Sequence, residues 1–231
     1  FADLESDNAR YQWLRFRSFK LDPVELAEAF SQFEDNSYAA IALYDLAAKE
    51  SADFNEVLPE HVQRLKKNES LLNYQGTIFL EWAWALTEIN QSNAAKWNGR
   101  INRLVPLNLH QQYEKKYFQA LSAEVNNEPL AVKLYQELLG NPFFEKGFIG
   151  AVSYIYADDD AVAYQLWLDA IQTNPYSSEL LAKYILSALR NGLENYAEES
   201  LTDYKSMVSE SRYQQFSQVY ENTKKESEVV F

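Results

Sequence analysis

The segment 147–175 carries two amphipathic patterns in succession, and each predicts an α-helix. In both patterns apolar residues recur at i, i+3, i+4 and i+7, which places them on one helix face. The first pattern contains Phe148, Ala151, Val152 and Ile155, and the second contains Ala163, Leu166, Trp167, Ala170 and Ile171. Three aspartates, Asp158–Asp160, lie between the patterns and suit the positive N-terminus of the second helix. Asn174-Pro175 ends that helix, because a residue before proline avoids the helical region.

The spacing of this segment recurs on both sides of it. Alanines at the corresponding place of the second helix are about 34 residues apart, a period typical of one class of helical repeat. They are Ala95, Ala131, Ala163 and Ala197. Gly192 precedes the last of them at a turn, where it offers a C-cap. Repetition of this kind predicts stacked helix pairs that share one continuous core.

The chain resembles the tetratricopeptide (TPR) repeat family at specific positions. The family pattern has a small and an aromatic residue in helix A, and then Ala, an aromatic residue, Ala and Pro in helix B. The segment 147–175 matches it with Ala151, Tyr154, Ala163, Trp167, Ala170 and Pro175. Small residues are needed where two helices cross closely. Gly99 replaces the aromatic residue in an earlier unit and Ile185 the small residue in the last, so another α-solenoid is the alternative.

The resemblance implies an all-α, TPR-like right-handed α-solenoid of antiparallel helix pairs with a C-terminal capping helix. We expect a single helical-repeat domain over residues 1–231. Its segments are an N-terminal helix at 1–20, an atypical first pair at 21–53, a connecting helix at 54–69, regular pairs at 70–209, a capping helix at 210–225 and a frayed tail at 226–231.

Local signals place several helix ends within these segments. Asp22-Pro23 opens the first pair, and Ser70 is expected to cap a long helix that runs to about Asn90. Glu128-Pro129 opens another helix. In the capping helix, three aromatic residues are expected to cover the open end of the stack: Tyr213, Phe216 and Tyr220.

The charge and composition exclude several classes of function. A net charge of −13 argues against nucleic acid as a partner, since nucleic-acid binding needs a basic footprint. The absence of cysteine excludes disulfides, thiolate nucleophiles and zinc–cysteine sites. No apolar run approaches about 18 residues, so we expect no membrane span. Because the sequence begins at Phe1 rather than Met, we expect that a segment was removed upstream; the compartment stays open between cytoplasmic and periplasmic or exported.

The first helix carries a basic strip that permits two interpretations. Its residues are Arg10, Arg15, Arg17 and Lys20. The strip either docks an acidic partner or is a solvated face paired with the acidic body of the chain, and the second interpretation is favoured.

The residues that could support catalysis do not form a recognisable motif. Neither His61 nor His110 begins a metal-ligand motif, and we expect a surface or cap role for each. Asp158–Asp160 lacks the alternating oxygen ligands and the distant glutamate of a calcium loop. The glycines are scattered, so no phosphate-binding loop is present. We therefore expect no enzymatic activity, no metal and no cofactor.

In TPR proteins, helix A of each unit lines a concave groove that takes peptides or helices, and the resemblance implies such a groove here. The corresponding positions are Leu80, Trp84, Thr87, Lys116, Ala120, Phe148, Val152, Tyr156, Ala182, Leu186 and Arg190. They lack the Lys, Arg and Asn clamp of the chaperone-binding TPR proteins, and their apolar character suits an apolar or helical segment. The alternative is that Trp84, Phe148 and Tyr156 pack against the next helix.

The expected function is therefore non-catalytic protein binding or scaffolding, with a peptide or helix of a protein partner in an apolar groove. Two alternatives stay open. The chain could be a structural module that forms homo-oligomers through its apolar end faces. It could also be a helical accessory domain of a larger enzyme or exported assembly.

Overall fold

The computed structural model describes residues 6–17, 29, 32–33, 35–47, 62–88, 93–125 and 127–230. Within its helices it describes the backbone alone at 15–17, 45–47, 86–88, 94–95 and 228–230. This part of the chain is all-helical, with no β-strand. It divides into two compact units, unit 1 at Phe1–Ala131 and unit 2 at Val132–Phe231, and each is described by itself.

Among its described residues, unit 1 contains five longer helices that lie within it and the start of a sixth. They are α1 (Asp7–Arg17), α2 (Asn36–Ala47), α3 (Tyr74–Glu88), α4 (Ala94–Arg103), α5 (Leu109–Glu124) and α6 (Glu128–Leu139), which crosses into unit 2. Residues 62–67 are also helical, and a short 3-10 helix follows at Glu69–Leu71. The basic strip of the first helix falls largely outside the described side chains, as do Asp22-Pro23 and residues 54–61 of the predicted connecting helix.

Large aromatic side chains hold the core of unit 1 together. The Tyr44 ring of α2 lies 5.4 Å from Phe79 and 5.6 Å from Trp82, both of α3. Phe118 of α5 stacks on Trp82 with the ring centroids 6.2 Å apart. Trp82 and Phe118 are completely buried. Burial of this much aromatic surface makes α2, α3 and α5 one packed body.

Gly76 allows the first turns of α2 and α3 to approach closely. A Cβ on Gly76 would lie 2.8 Å from the Cα of Ser37, so a larger residue would have to displace the backbone of α2. At the same place the Asn73 backbone N–H donates to Ser37 Oγ over 3.0 Å. The close approach therefore brings the N-termini of two helices side by side.

Helix α3 begins later than the sequence analysis expected. Its cap is Asn73, whose Oδ1 accepts from the Gly76 N–H over 2.8 Å, and the helix starts at Tyr74. The prediction of a cap at Ser70 is wrong, because Ser70 lies in the 3-10 helix and an extended Leu72 separates that turn from α3.

Unit 2 contains the end of α6 and five further helices. They are α7 (Glu145–Ile155), α8 (Asp160–Thr173), α9 (Ser178–Arg190), α10 (Glu194–Met207) and α11 (Glu210–Val230). The predicted capping helix is therefore present, but it continues through residues 226–230. Residues 226–230, where the sequence predicted a frayed tail, are helical in α11, and Phe231 lies outside the described residues.

Helix α9 is at the centre of unit 2. It contacts α7 and α8, which precede it in the sequence, and α10 and α11, which follow it. Small buried residues lie on these helices: Ala151, Ala163, Ala170, Ala188 and Ala197. Because a methyl group occupies little space, helix axes can approach closely at such positions.

Local capping signals explain where the helices of unit 2 start and stop. Asp159 Oδ1 accepts from the Val162 N–H over 3.1 Å and begins α8, as the aspartate run predicted. Gly192 has a φ of 70°, in the left-handed region that favours glycine. The N–H groups of Gly192 and Leu193 donate to the carbonyls of Leu189 and Ala188, the two bonds of a Schellman motif. The prediction of a glycine C-cap is confirmed.

Candidate ligand-binding site

Four of the predicted groove side chains belong to the core. Leu80 and Ala120 of unit 1 are completely buried. In unit 2, Val152 is completely buried and Phe148 retains 4% of its surface, with its ring edge against Trp167 at 5.8 Å. The helix face assigned to a partner therefore packs against neighbouring helices at these four positions, which offer no surface to a ligand.

Trp84 is partly exposed, but side chains of unit 1 cover its ring. It meets Trp97 edge-on with the centroids 5.1 Å apart, and the Arg100 guanidinium lies 4.0 Å from its centroid. Lys66 lies over the same ring. Arg100 in turn donates from Nε to Glu81 over 2.8 Å. This cation–π cluster ties 62–67, α3 and α4 together, so Trp84 has a structural role.

The remaining groove positions are more accessible. Lys116 lies over the Tyr113 ring in unit 1. In unit 2, Tyr156, Ala182 and Leu186 are half-buried and Arg190 is exposed, with Nη1 3.9 Å from Asp160. The Thr87 side chain lies outside the described part of the structure. The predicted line thus reduces to separate accessible positions within each unit.

A cavity of about 440 Å³ lies in unit 1, at a place the sequence analysis did not identify. Its volume falls within the ~300–1,000 Å³ range of small-molecule pockets. Six primary amides line it: Asn8, Gln12, Asn73, Gln75, Asn108 and Gln111. Aromatic and apolar side chains also line it: Tyr11, Tyr38, Ile41 and Phe79. The described lining is completed by Asp35, Ser37 and His110, and it includes neither Lys nor Arg. We call this space the N-cap cavity.

Three helix N-termini meet at the N-cap cavity, and the capping residue of each lines it. Asp35 Oδ1 accepts from the Ser37 N–H at 2.7 Å and caps α2. Asn73 caps α3, as described above. Asn108 Oδ1 accepts from the Gln111 N–H at 2.9 Å and caps α5. The positive ends of three helix dipoles therefore point towards one cavity.

Gln111 is one of the residues that line the cavity, and it carries a buried polar group. Its side chain is completely buried, and its Oε1 accepts from the Leu107 N–H over 2.7 Å. That bond fixes which end of the amide is nitrogen. The Nε2 group has no hydrogen-bond partner among the described residues. An unsatisfied donor of this kind costs free energy unless a ligand or water accepts from it.

Beside Gln111, the structure pairs His110 with a buried carboxylate. Glu114 is 3% exposed and accepts from the Tyr44 hydroxyl, and its Oε1 lies 3.3 Å from His110 Nε2. Sequence analysis missed this pair, although Glu114 follows His110 by one helical turn. Within the described residues, no group of three or more His, Asp or Glu side chains could hold a metal ion. Glu114 is a buried acceptor, and its bond with Tyr44 joins α5 to α2.

Two polar groups of unit 2, the partly buried Glu145 and the buried Tyr204, have structural roles. Glu145 accepts from Asn174 Nδ2 at 2.6 Å and from Ser177 Oγ at 2.7 Å, which joins the start of α7 to the turn before α9. Burial, strengthened by the nearby Glu179 charge, raises the pKa of Tyr204 to about 12. These groups rigidify the helix stack and do not converge on one cavity.

Among the helices that the structure describes, none has the length and apolar character needed to cross a lipid bilayer. No protein-family model, curated protein or solved structure matches the chain. The TPR-like resemblance therefore rests on the residues of the chain itself.

Proposed function

We propose that the chain is a non-catalytic protein-binding or scaffold domain built from TPR-like helix pairs in a right-handed solenoid. The observation that carries this proposal is the packing of α9, which contacts the pair before it, α7 and α8, as well as α10 and α11 after it. In a solenoid, each helix pair buries its apolar face against its neighbours in sequence, and contacts of this kind result. The buried alanines of unit 2 are consistent with it.

The partner surface in this proposal is the accessible part of the helix-A line in unit 2. It consists of Tyr156, Leu186 and Arg190. A half-buried leucine and tyrosine offer apolar area to a helix or extended peptide, and an exposed cation at the edge can orient it. The expected occupant is an apolar peptide or helix of a partner protein.

The test compares two apolar-to-acidic variants of unit 2. Leu186→Glu places a charge in the proposed surface, and Val162→Glu places the same charge on α8 at a side chain that is 39% exposed. A partner captured by the parent chain is identified, and its binding segment is made as a peptide and titrated against purified protein. Circular dichroism first establishes that both variants keep their helicity.

We expect Leu186→Glu to lower the affinity for the peptide at least about ten-fold, because a charge replaces a buried apolar contact. Val162→Glu should leave the affinity for the peptide unchanged. Equal affinity for both variants would remove the helix-A surface from the proposal. If the parent instead shows a mass that rises with concentration and no partner, the structural alternative replaces it.

A further inference from the structure

We propose that the N-cap cavity of unit 1 binds the oxyanion of a small molecule, a carboxylate or phosphate group attached to an apolar body. This inference is independent of the protein-binding surface in unit 2. It rests on the chemistry of the cavity lining, in which three amides with assigned bonds have an NH₂ group that can donate to a ligand.

The hydrogen bonds assign the free end of three amides. Asn73 and Asn108 each use Oδ1 to cap a helix, and Gln111 uses Oε1 to accept from Leu107. Each amide therefore has its NH₂ group left for a ligand. For Gln111 that group is completely buried and has no partner among the described residues. A donor-rich cavity is complementary to a ligand that accepts several hydrogen bonds.

The helix termini favour a negative charge on that ligand. The N-termini of α2, α3 and α5 converge here, and they supply partial positive charge to a described lining that contains neither lysine nor arginine. Buried Tyr11, Ile41 and Phe79 line the same cavity and provide contact for an apolar or aromatic body. The combination selects an amphiphilic anion over a sugar, whose hydroxyls would need acceptors as well as donors.

Within the described lining, the Asp35 carboxylate opposes the proposed ligand, so its removal should strengthen binding where the other changes weaken it. Asp35 lines the cavity, and its backbone N–H donates to Asp7 Oδ2. Its negative charge repels an anion, while its side chain caps α2. Asparagine caps a helix as well as aspartate does, so Asp35→Asn removes the charge and keeps the cap.

The experiment uses the full chain and four probes, and measures dissociation constants by ligand-observed NMR at low salt. Benzoate and phenyl phosphate carry the two oxyanions, benzamide is the neutral analogue of benzoate, and glucose represents a sugar. We expect at least one anion to bind about ten-fold more tightly than benzamide, since both charge and acceptor geometry favour it. The anion that binds more tightly identifies the group as carboxylate or phosphate.

Four cap-preserving variants locate the site. Asn73→Asp and Asn108→Asp keep the helix caps but replace an NH₂ donor with a charged oxygen. Each should therefore lower the affinity for the preferred anion about five-fold or more. Asn127→Asp is the control, because Asn127 Oδ1 accepts from the Leu130 N–H at the start of α6 and Asn127 is not among the residues that line the cavity. This variant should change the affinity for the anion less than about two-fold. Asp35→Asn should strengthen binding about five-fold.

Three results would overturn the proposal. Benzamide or glucose could bind as well as the anions, which would make the cavity a site for neutral ligands. All four variants could change affinity equally, which would place binding elsewhere. If no probe binds at millimolar concentration, water satisfies the Gln111 amide and the cavity has only a structural role.

Discussion

Units 1 and 2 use the same helical secondary structure but fill their interiors differently. Unit 1 packs large rings, with Tyr44, Trp82 and Phe118 in mutual contact, and it encloses buried Gln111 and Glu114 beside a polar cavity. Unit 2 places alanines on its packed helices, and its polar bonds connect helix ends. Buried alanines occur in both units, for example Ala40 and Ala83 in unit 1 and Ala163 and Ala188 in unit 2, so the two interiors differ in their buried polar groups rather than in the presence of small residues. In our two proposals the small-molecule cavity lies in unit 1, beside buried Gln111 and Glu114, and the peptide surface lies on the helices of unit 2.

The largest expected effect is on the aromatic core of unit 1. Trp82→Ala removes a completely buried ring that contacts Tyr44, Phe79 and Phe118, and should lower the free energy of unfolding by about 3–5 kcal/mol. Guanidinium unfolding followed by circular dichroism measures it. Leu107→Ala, at a side chain that is 58% exposed, is the control and should stay within about 0.5 kcal/mol. A small loss at Trp82 would show that the ring cluster does not stabilise unit 1.

The second prediction concerns alkaline pH and unit 2. Because folding raises the pKa of Tyr204 to about 12 from its ordinary value of 10.0, the folded state favours the neutral phenol. The neutral Tyr204 phenol contributes fully to the free energy of unfolding below pH 10. This contribution, about 2 kcal/mol, is lost as the pH rises through 12. Tyr204→Phe should remove this part of the alkaline dependence in unfolding measured from pH 9 to pH 12.

Tyr176→Phe is the matched control for that experiment, since Tyr176 is 85% exposed and should leave the pH dependence unchanged. If Tyr204→Phe unfolds with the same pH dependence as the parent, another group controls the alkaline transition.

The third prediction tests the close approach of helices beside the N-cap cavity. Gly76→Ala would put a methyl group 2.8 Å from the backbone of Ser37, so α2 and α3 must separate, at a cost of about 1–3 kcal/mol. Gly99→Ala is the same change in α4, where no atom lies within 4 Å, and should stabilise the chain by up to about 1 kcal/mol. Guanidinium unfolding measures the change in the free energy of unfolding for both variants. If both changes had the same sign, the close packing at Gly76 would be contradicted.

The smallest expected effect is at the turn between α9 and α10 in unit 2. Gly192→Ala forces a side chain into the left-handed conformation at φ 70° and should cost about 1 kcal/mol. Gly140→Ala is the control, because its Cβ would meet nothing within 4 Å. Thermal unfolding of the two variants measures the difference. A neutral Gly192→Ala would mean that the Schellman turn is not a stabilising feature.

The prediction of a single domain over 1–231 stays a prediction, and so does the solenoid. What the sequence did predict well were helix ends with a local signal. Asp159 and Gly192 act on N–H and carbonyl groups within a few residues of themselves, so their roles can be read from the adjacent sequence. Ser70 failed as a cap because Asn73, three residues later, competes for the same helix start and also donates to Ser37. That second bond comes from a distant segment and has no signal in the sequence.

The sequence by itself determined that the chain is helical and which face of each helix is apolar, because both follow from periodicity along a local stretch. Only the tertiary structure decided how that apolar face is used. Val152 and Leu186 occupy equivalent positions in the pattern, each one residue after the small helix-A position, yet Val152 is completely buried and Leu186 is half-buried. The N-cap cavity is the clearest case. Asp35, Asn73 and Gln111 come together because Gly76 and the aromatic core bring distant helix ends side by side, and no local pattern encodes that proximity.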